Sequence, residues 1–259
     1  MPKGYSATVV LPLYKPSGNW TTPFIRNVSA LNACLTGEQL QYIVVHDGPV
    51  DADLQKAFVF LSSLLTNVDF LWYDGNKGKG HALRRGVEAA SSPYILLVDF
   101  DFPYCTENIC TILNELRKGE DVVVGRRKKA YFAQVPLKRM LISKLFSLLN
   151  RLFISLPLFD TQSGIKGFNL AGRAIFLETV IDRFLVDTEF LMRVHKTNLT
   201  VGIVDIDLKP DVVFSDFGMK VVQTELYNFA RIFYLSKRLQ RRIIAPRNIK
   251  MEQLFSLRA

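Results

Sequence analysis

Five short apolar runs punctuate the first half of the chain, at residues 7–13, 40–46, 68–73, 94–99 and 121–125. Each is rich in β-branched or aromatic side chains and is bounded by turn residues, the pattern of a strand buried on both faces. Stretches with helical spacing separate them, at about 22–36, 51–65, 79–91 and 106–118. Strand and helix alternating in this way predict an α/β fold, a mostly parallel sheet with helices on both faces. In such sheets ligands gather beyond the carboxyl ends of the strands. The chain carries no internal repeat and no Gly/Ser-rich linker.

The second half breaks the alternation. Residues 136–156 predict a helix opened by Pro136 and closed by Pro157. At about 100° per residue, Leu141, Ile142, Leu145, Phe146, Leu148, Leu149, Leu152, Phe153 and Leu156 share one arc. Ser143, Lys144, Ser147, Asn150, Arg151 and Ser155 share the other. Such a helix either packs on the sheet or lies in a membrane interface, with Lys144 and Arg151 toward lipid phosphates. A second basic stretch, 237–242, follows an aromatic segment containing Tyr227, Phe229, Phe233 and Tyr234, and the two stretches suit one binding face.

Charge sharpens this picture. The 259 residues carry 33 Lys+Arg against 24 Asp+Glu, a formal +9, but the excess is local. Residues 117–151 hold 10 basic and 2 acidic side chains, and residues 209–259 hold 10 and 4, while the rest is slightly acidic. An anionic partner is implied: a phosphate-rich small molecule, a membrane surface or nucleic acid. Nucleic acid is disfavoured, because the basic stretches carry neither a recognition motif nor a stacking platform. Three cysteines without CxxC spacing predict neither a disulfide framework nor a zinc site, which fits a reducing cytoplasm. No signal peptide is visible at the N-terminus, and no uncharged apolar run reaches the roughly 18 residues of a membrane span. Membrane association would then be peripheral.

Two clusters carry candidate chemistry. Asp99 and Asp101 end the fourth apolar run, in Leu-Leu-Val-Asp-Phe-Asp-Phe. Two carboxylates at such a strand end can bind a hard divalent cation, which would neutralise a diphosphate leaving group. Without an ion, they could instead cap the next helix. Asn-Lys-Gly-Lys-Gly-His, at 76–81, places two glycines and Lys79 at a strand-to-helix junction, where the helix N-terminus attracts phosphate. It lacks the Gly-Lys-Ser/Thr ending of a P-loop, so ATP hydrolysis is disfavoured. His81 could touch a ligand, but a lone histidine is more often structural, and His46 and His195 carry no more weight.

These segments, in order, resemble family 2 glycosyltransferases. The resemblance rests on Val-Val-Leu-Pro-Leu-Tyr at 9–14, Val-Val-His-Asp-Gly at 44–48, the Asn-x-Gly-Lys-Gly turn, Val-Asp-Phe-Asp at 98–101 and Val-Val-Gly-Arg-Arg at 123–127. Asp-Thr-Gln-Ser-Gly-Ile-Lys-Gly-Phe at 160–168 and Phe-Leu-Val-Asp-Thr-Glu-Phe-Leu at 184–191 look like the branch that glycosylates polyprenyl phosphates. The resemblance implies a GT-A fold over residues 1–210, followed by a basic helical extension at 211–259. It implies a GDP- or UDP-sugar donor, Mg²⁺ or Mn²⁺, and inversion at the anomeric carbon. Pro12 and Tyr14 would line the base pocket, with Asp47 bonding the base and Lys79 nearby. Asp99 would face ribose and metal, Asp101 would hold the metal, and Arg126 would face the diphosphate or the acceptor phosphate. Gln162 and Ser163 would adjoin the sugar and acceptor. Lys15-Pro16 replaces the family's usual Asn-Glu, His46 replaces an acidic residue, and Pro103 stands where the branch often has Gln.

Two acceptors fit this chemistry. A lipid phosphate is already anionic and needs positioning by groups such as Arg126. A glycan hydroxyl requires a carboxylate base. Asp187 and Glu189 are the candidates for that base, with helix capping as their alternative role. The leading expectation is thus a transferase acting on polyprenyl phosphate, peripheral on the cytoplasmic face of a membrane. Transfer to a cell-surface glycan is the close alternative, and a non-catalytic membrane-surface protein on the same fold is the other class.

Overall fold

The computed structural model describes residues 4–16, 18–128, 140, 163–210 and 219–244. Among them one seven-stranded sheet runs in the order β3-β2-β1-β4-β6-β5-β7. The first five strands are β1 (Ala7–Leu13), β2 (Leu40–His46), β3 (Val68–Trp72), β4 (Tyr94–Val98) and β5 (Val122–Arg127). They fall on the five apolar runs. Helices α1 (Thr21–Cys34), α2 (Ala52–Leu64), α3 (Lys79–Ala89) and α4 (Thr106–Arg117) fill the intervals.

The sequence pattern did not predict the remaining two strands. β6 (Ile165–Phe168) inserts between β4 and β5, antiparallel to both, and β7 (Val201–Ile206) extends the sheet parallel to β5. Helices α5 (Leu170–Leu177), α6 (Val186–Val194) and α7 (Met219–Ile244) complete the described fold. The predicted helix at 136–156, with Lys144 and Arg151, lies outside the described residues except for residue 140, and Gln162 lies outside them too.

Two apolar layers sandwich the sheet. Phe24, Val28, Leu31, Ile109, Ile112 and Leu113 of α1 and α4 cover one face. Leu83, Val87, Phe176, Phe190 and Leu191 of α3, α5 and α6 cover the other. Val9 and Val10 show why the strands read as continuous apolar runs: both are fully buried, one under each layer. Burying each such side chain contributes about 1.5–3 kcal/mol. Gly86 lets α3 lie close to the sheet, since a side chain there would strike Val10 and Val45. That close seating fixes the start of α3, and with it Lys79, at the carboxyl edge of β1 and β4.

Cys34 and Cys110 are joined as a disulfide between α1 and α4, with Cα atoms 6.8 Å apart, and Cys105 is free. This corrects the expectation of unpaired cysteines. Sequence spacing gave no sign of it, because the two residues meet only once both helices pack on the same face.

Helix α7 docks on the far side of α6. Phe229 and Ile232 pack against Ile181, Leu185 and Met192, and Glu225 accepts a 3.1 Å hydrogen bond from Leu185 N. The other Glu225 oxygen is buried without a hydrogen bond. Burial outweighs that bond and holds the Glu225 carboxyl above its ordinary pKa. A raised folded pKa favours the protonated form, so this stabilisation is present at acid pH and is lost as pH rises through that pKa. Glu225→Gln is therefore expected to melt increasingly above wild type as pH is raised from 4 to 8. Thermal melts across that range check it, and a constant difference would contradict it.

Candidate functional site

The carboxyl ends of β1, β2, β4 and β5 meet at one edge of the sheet, and the antiparallel β6 brings its amino end to the same place. β4 ends at Val98, and the chain turns at once, with Phe102 N donating to Asp99 O at 2.9 Å. The aromatic residues of this turn anchor it. Phe100 stacks on Phe24 at 5.2 Å, and Phe102 is buried with φ at +46°, under the Lys209 ammonium at 5.9 Å from its ring. A bulky residue in the left-handed region is costly and persists only where packing imposes it. The alternate residues Asp99 and Asp101 are thereby left half-buried and exposed, respectively. Neither caps α4, whose N-cap is Cys105 with no side-chain hydrogen bond.

Asp99 has close neighbours on both sides. Lys79 Nζ donates to its Oδ1 at 2.7 Å. Gly164 lies against the carboxylate so closely that a Cβ there would collide with it. Gly164→Ala is therefore expected to displace Asp99 and cut turnover by about a hundredfold, since misplacement by 1 Å can cost that much. Steady-state kinetics beside an unchanged far-UV spectrum check it.

Behind Lys79, the Asp187 Oδ2 stands 3.9 Å away, and Asp187 Oδ1 pairs with Lys166 Nζ at 3.1 Å. Lys166 also donates to Ser163 O. Burial alone would lower the Lys79 pKa, but Asp99 and then Asp187 outweigh it and hold it above the ordinary lysine value. Lys166 is fully buried in the middle of the sheet, and the sequence reading missed it. The Ile-Lys-Gly-Phe motif contained it, but nothing nearby in sequence signalled the carboxylate that neutralises it.

The glycine turn is organised differently from the expectation. Asp47 Oδ1 accepts from Tyr73 OH at 2.8 Å and Lys77 N at 2.7 Å, and Oδ2 accepts from Asn76 Nδ2 at 2.9 Å and Gly78 N at 2.8 Å. Asp182 O receives Gly80 N at 2.7 Å and His81 N at 3.3 Å. Gly78 and Gly80 have no room for a side chain because the 181–182 backbone lies against them. The first N–H groups of α3 are thus occupied by the protein's own acceptors, and this helix start is not the phosphate cradle that the glycines suggested.

The other expected residues divide between this edge and the interior. Pro12 lies on β1 opposite Val45, and the half-exposed Tyr14 follows it, with the Lys15 ammonium 5.4 Å from its ring. Ser163 is buried at the start of β6, beside Gly164. Arg126, at the end of β5, donates to Asp205 at 2.6 Å on the surface. Glu189 is fully buried: its Oε2 accepts from Val180 N and Ile181 N, both at 2.8 Å, and Oε1 accepts from Arg193 Nε at 2.9 Å. His46 is buried against Gly48 O, and His81 meets the Tyr73 ring edge-on.

Asp99 and Asp101 fit a hard divalent cation. Among the described residues no group of three or more His, Cys, Asp or Glu side chains gathers, so two carboxylates would need substrate oxygens and water to complete a coordination shell. Mg²⁺-type ions are commonly held in that way, by one or two carboxylates plus substrate phosphates.

A sheet of this order, with flanking helices and a ligand edge at the strand ends, is the GT-A fold of glycosyltransferases. The Glycosyl transferase family 2 profile matches residues 8–176, and the chain belongs to that family. It is 27% identical over 210 residues to Glycosyltransferase AglD of Haloferax volcanii, covering 80% of this chain and 34% of that protein. It is 25% identical over 179 residues to Dolichyl-phosphate beta-glucosyltransferase of Dictyostelium discoideum, covering 64% and 54%. The chain thus spans about a third and about half of these relatives. Mannosyl-3-phosphoglycerate synthase from Rubrobacter xylanophilus shares the fold, with TM-score 0.66 at 15% identity, 95% of this chain and 78% of that one. So does glucosyl-3-phosphoglycerate synthase from Mycobacterium tuberculosis, solved with Mn²⁺, UDP-Glc and phosphoglyceric acid, with TM-score 0.59 at 16% identity, 92% and 80%.

Proposed function

We propose that this glycosyltransferase moves a hexose, with inversion, from a nucleotide-diphospho-sugar to a polyprenyl-phosphate lipid at a membrane surface. The observation that carries the donor half is the Asp99/Asp101 turn with the Lys79 ammonium against it, at the edge where such sheets bind ligands. Asp99 and Asp101 would hold Mg²⁺ or Mn²⁺, which when bound supplies charge neutralisation for the departing nucleotide diphosphate. Pro12 and Tyr14 border the base side, and Asp47 acts there by fixing the 76–78 turn. Ser163 and Arg126 flank the acceptor side. Arg126 exchanges its surface partner Asp205 for the acceptor phosphate, a bidentate match.

The state of the two candidate bases favours a phosphate acceptor over a glycan hydroxyl. Glu189 has its oxygens committed to backbone and to Arg193, and Asp187 is bound to Lys166. An acceptor that arrives ionised needs neither of them as a base. The relative named for dolichyl phosphate supports the same direction.

For the membrane, no helix among the described residues is long and apolar enough to cross. The outward side of α7 carries exposed Tyr227 and Tyr234 with Arg231 and Lys237 between and beyond them. Aromatic rings interleaved with cations suit an anionic interface.

The test is thermal stabilisation of wild type and Asp101→Asn by UDP, GDP and their sugar conjugates, with Mn²⁺ or with EDTA. It is followed by product analysis with short polyprenyl phosphates and with glycan acceptors. A metal-dependent shift of several degrees with one nucleotide, lost in Asp101→Asn, together with transfer to the lipid phosphate, is the expected outcome. Transfer to a glycan alone overturns the acceptor assignment, and no shift with any nucleotide overturns the donor site.

A further inference from the structure

Four side chains at the end of β4 form a line that alternates in sign from surface to core: Asp99, Lys79, Asp187 and Lys166. Lys79 stands between two carboxylates but serves only one. Its ammonium is 2.7 Å from Asp99 Oδ1 and 3.9 Å from Asp187 Oδ2, the second distance being too long for a hydrogen bond. Lys79 therefore occupies one of the two Asp99 oxygens open to a divalent cation, and its charge opposes a cation at either. Its side chain is only 18% exposed, so leaving Asp99 gains it little hydration. A buried ammonium that loses its partner needs another anion at once. Asp187 is that anion: it is buried, it is held by Lys166 at 3.1 Å through its other oxygen, and it leaves Oδ2 facing Lys79.

We infer that Lys79 is a built-in cation that occupies Asp99 when no divalent metal is bound and passes to Asp187 when metal arrives. Asp187 is thus a positioning residue that acts through Lys79, and Lys166 keeps it aimed. No proton or covalent bond changes hands; one ammonium moves between two carboxylates, and the charge of the buried line stays balanced. The exchange lowers affinity for bare metal, because each binding event must first displace Lys79. This inference rests on the metal-dependent donor site proposed above.

The experiment measures Mn²⁺ binding to the full chain, from the electron paramagnetic resonance signal of free Mn²⁺, without nucleotide or acceptor. Wild type, Lys79→Met, Asp187→Asn and the double variant are compared, with Lys79→Gln as a second form of the first change and a thermal transition to establish folding. Lys79→Met is expected to bind Mn²⁺ on the order of tenfold tighter and Asp187→Asn on the order of tenfold weaker, as suits one part-screened ion pair. The double variant decides between exchange and simple charge effects. If Asp187 acts through Lys79, the double variant binds within about twofold of Lys79→Met; if the two effects add, the exchange is refuted. Equal affinity of wild type and Lys79→Met also refutes it. A parallel titration of wild type with Mn²⁺ plus UDP or GDP separates the levels. Binding there, with no tightening in Lys79→Met, removes the exchange alone, whereas no Mn²⁺ binding under any condition removes the metal-dependent reading and the exchange together.

Discussion

Asp101→Asn is expected to lower sugar transfer by at least about a hundredfold while leaving the melting temperature nearly unchanged. The two halves of this expectation have separate grounds. Asp101 is exposed, on a turn whose packing is supplied by Phe100 and Phe102, and surface changes of this kind usually alter stability by no more than about 0.5 kcal/mol. Its carboxylate is one of two that would complete the cation shell around the departing diphosphate. Removing one charge-stabilising group from such a site typically costs about 10²–10³ in rate. Turnover and thermal melting on the same preparation give the answer. Full activity would mean that the Asp-x-Asp turn carries no metal.

Glu189→Gln is expected to produce the opposite pattern, a large loss of stability with the chemistry preserved in the molecules that fold. The fully buried Glu189 ties the backbone at Val180 and Ile181 to Arg193. A glutamine can keep the backbone bonds through its carbonyl, but the Arg193 guanidinium, 12% exposed in its side chain, loses its buried charge partner and keeps only the exposed Glu178, at 3.2 Å. Breaking a buried pair from one side costs about 3–5 kcal/mol. For a chain of this size that is a fall of roughly 6–20 °C in Tm. Differential scanning calorimetry and single-turnover kinetics separate the two effects. A stable but inactive variant would restore Glu189 as the base and with it the glycan acceptor.

Those two carboxylates show what the sequence could and could not convey. Asp101 was legible because its signal is local: an apolar run with two acidic residues at its end needs only strand geometry to place them at the sheet edge. Glu189 was visible only as one of an acidic pair at a helix start, since the backbone groups and the arginine that engage it are set by tertiary packing. The strands β1, β2, β4 and most of β5 were legible for the same local reason, being buried on both faces, and the edge strand β3 from its apolar and aromatic residues alone. β6 was not, because Lys166 and Gly167 interrupt its pattern. The lysine is tolerated in the sheet only because Asp187 neutralises it from α6, and the glycine because Ile112, Leu116 and Leu96 crowd its position. Gly78 and Gly80 read as a phosphate loop, yet the space they leave admits the 181–182 backbone. A glycine announces close approach without naming what approaches.

The reversed strand β6 ties the Asp99 turn to a distant part of the chain. β5 runs toward the carboxyl edge and β6 starts from it, so the chain leaves the sheet after Arg127 and re-enters it at Ser163 on the same side. Gly164, the second residue of that return, lies against the Asp99 carboxylate, while Lys79 reaches the same carboxylate from the start of α3. The position of Asp99 therefore depends on two separate crossings of the sheet edge, and a shift of β6 by one residue would disturb it as directly as a change in its own turn.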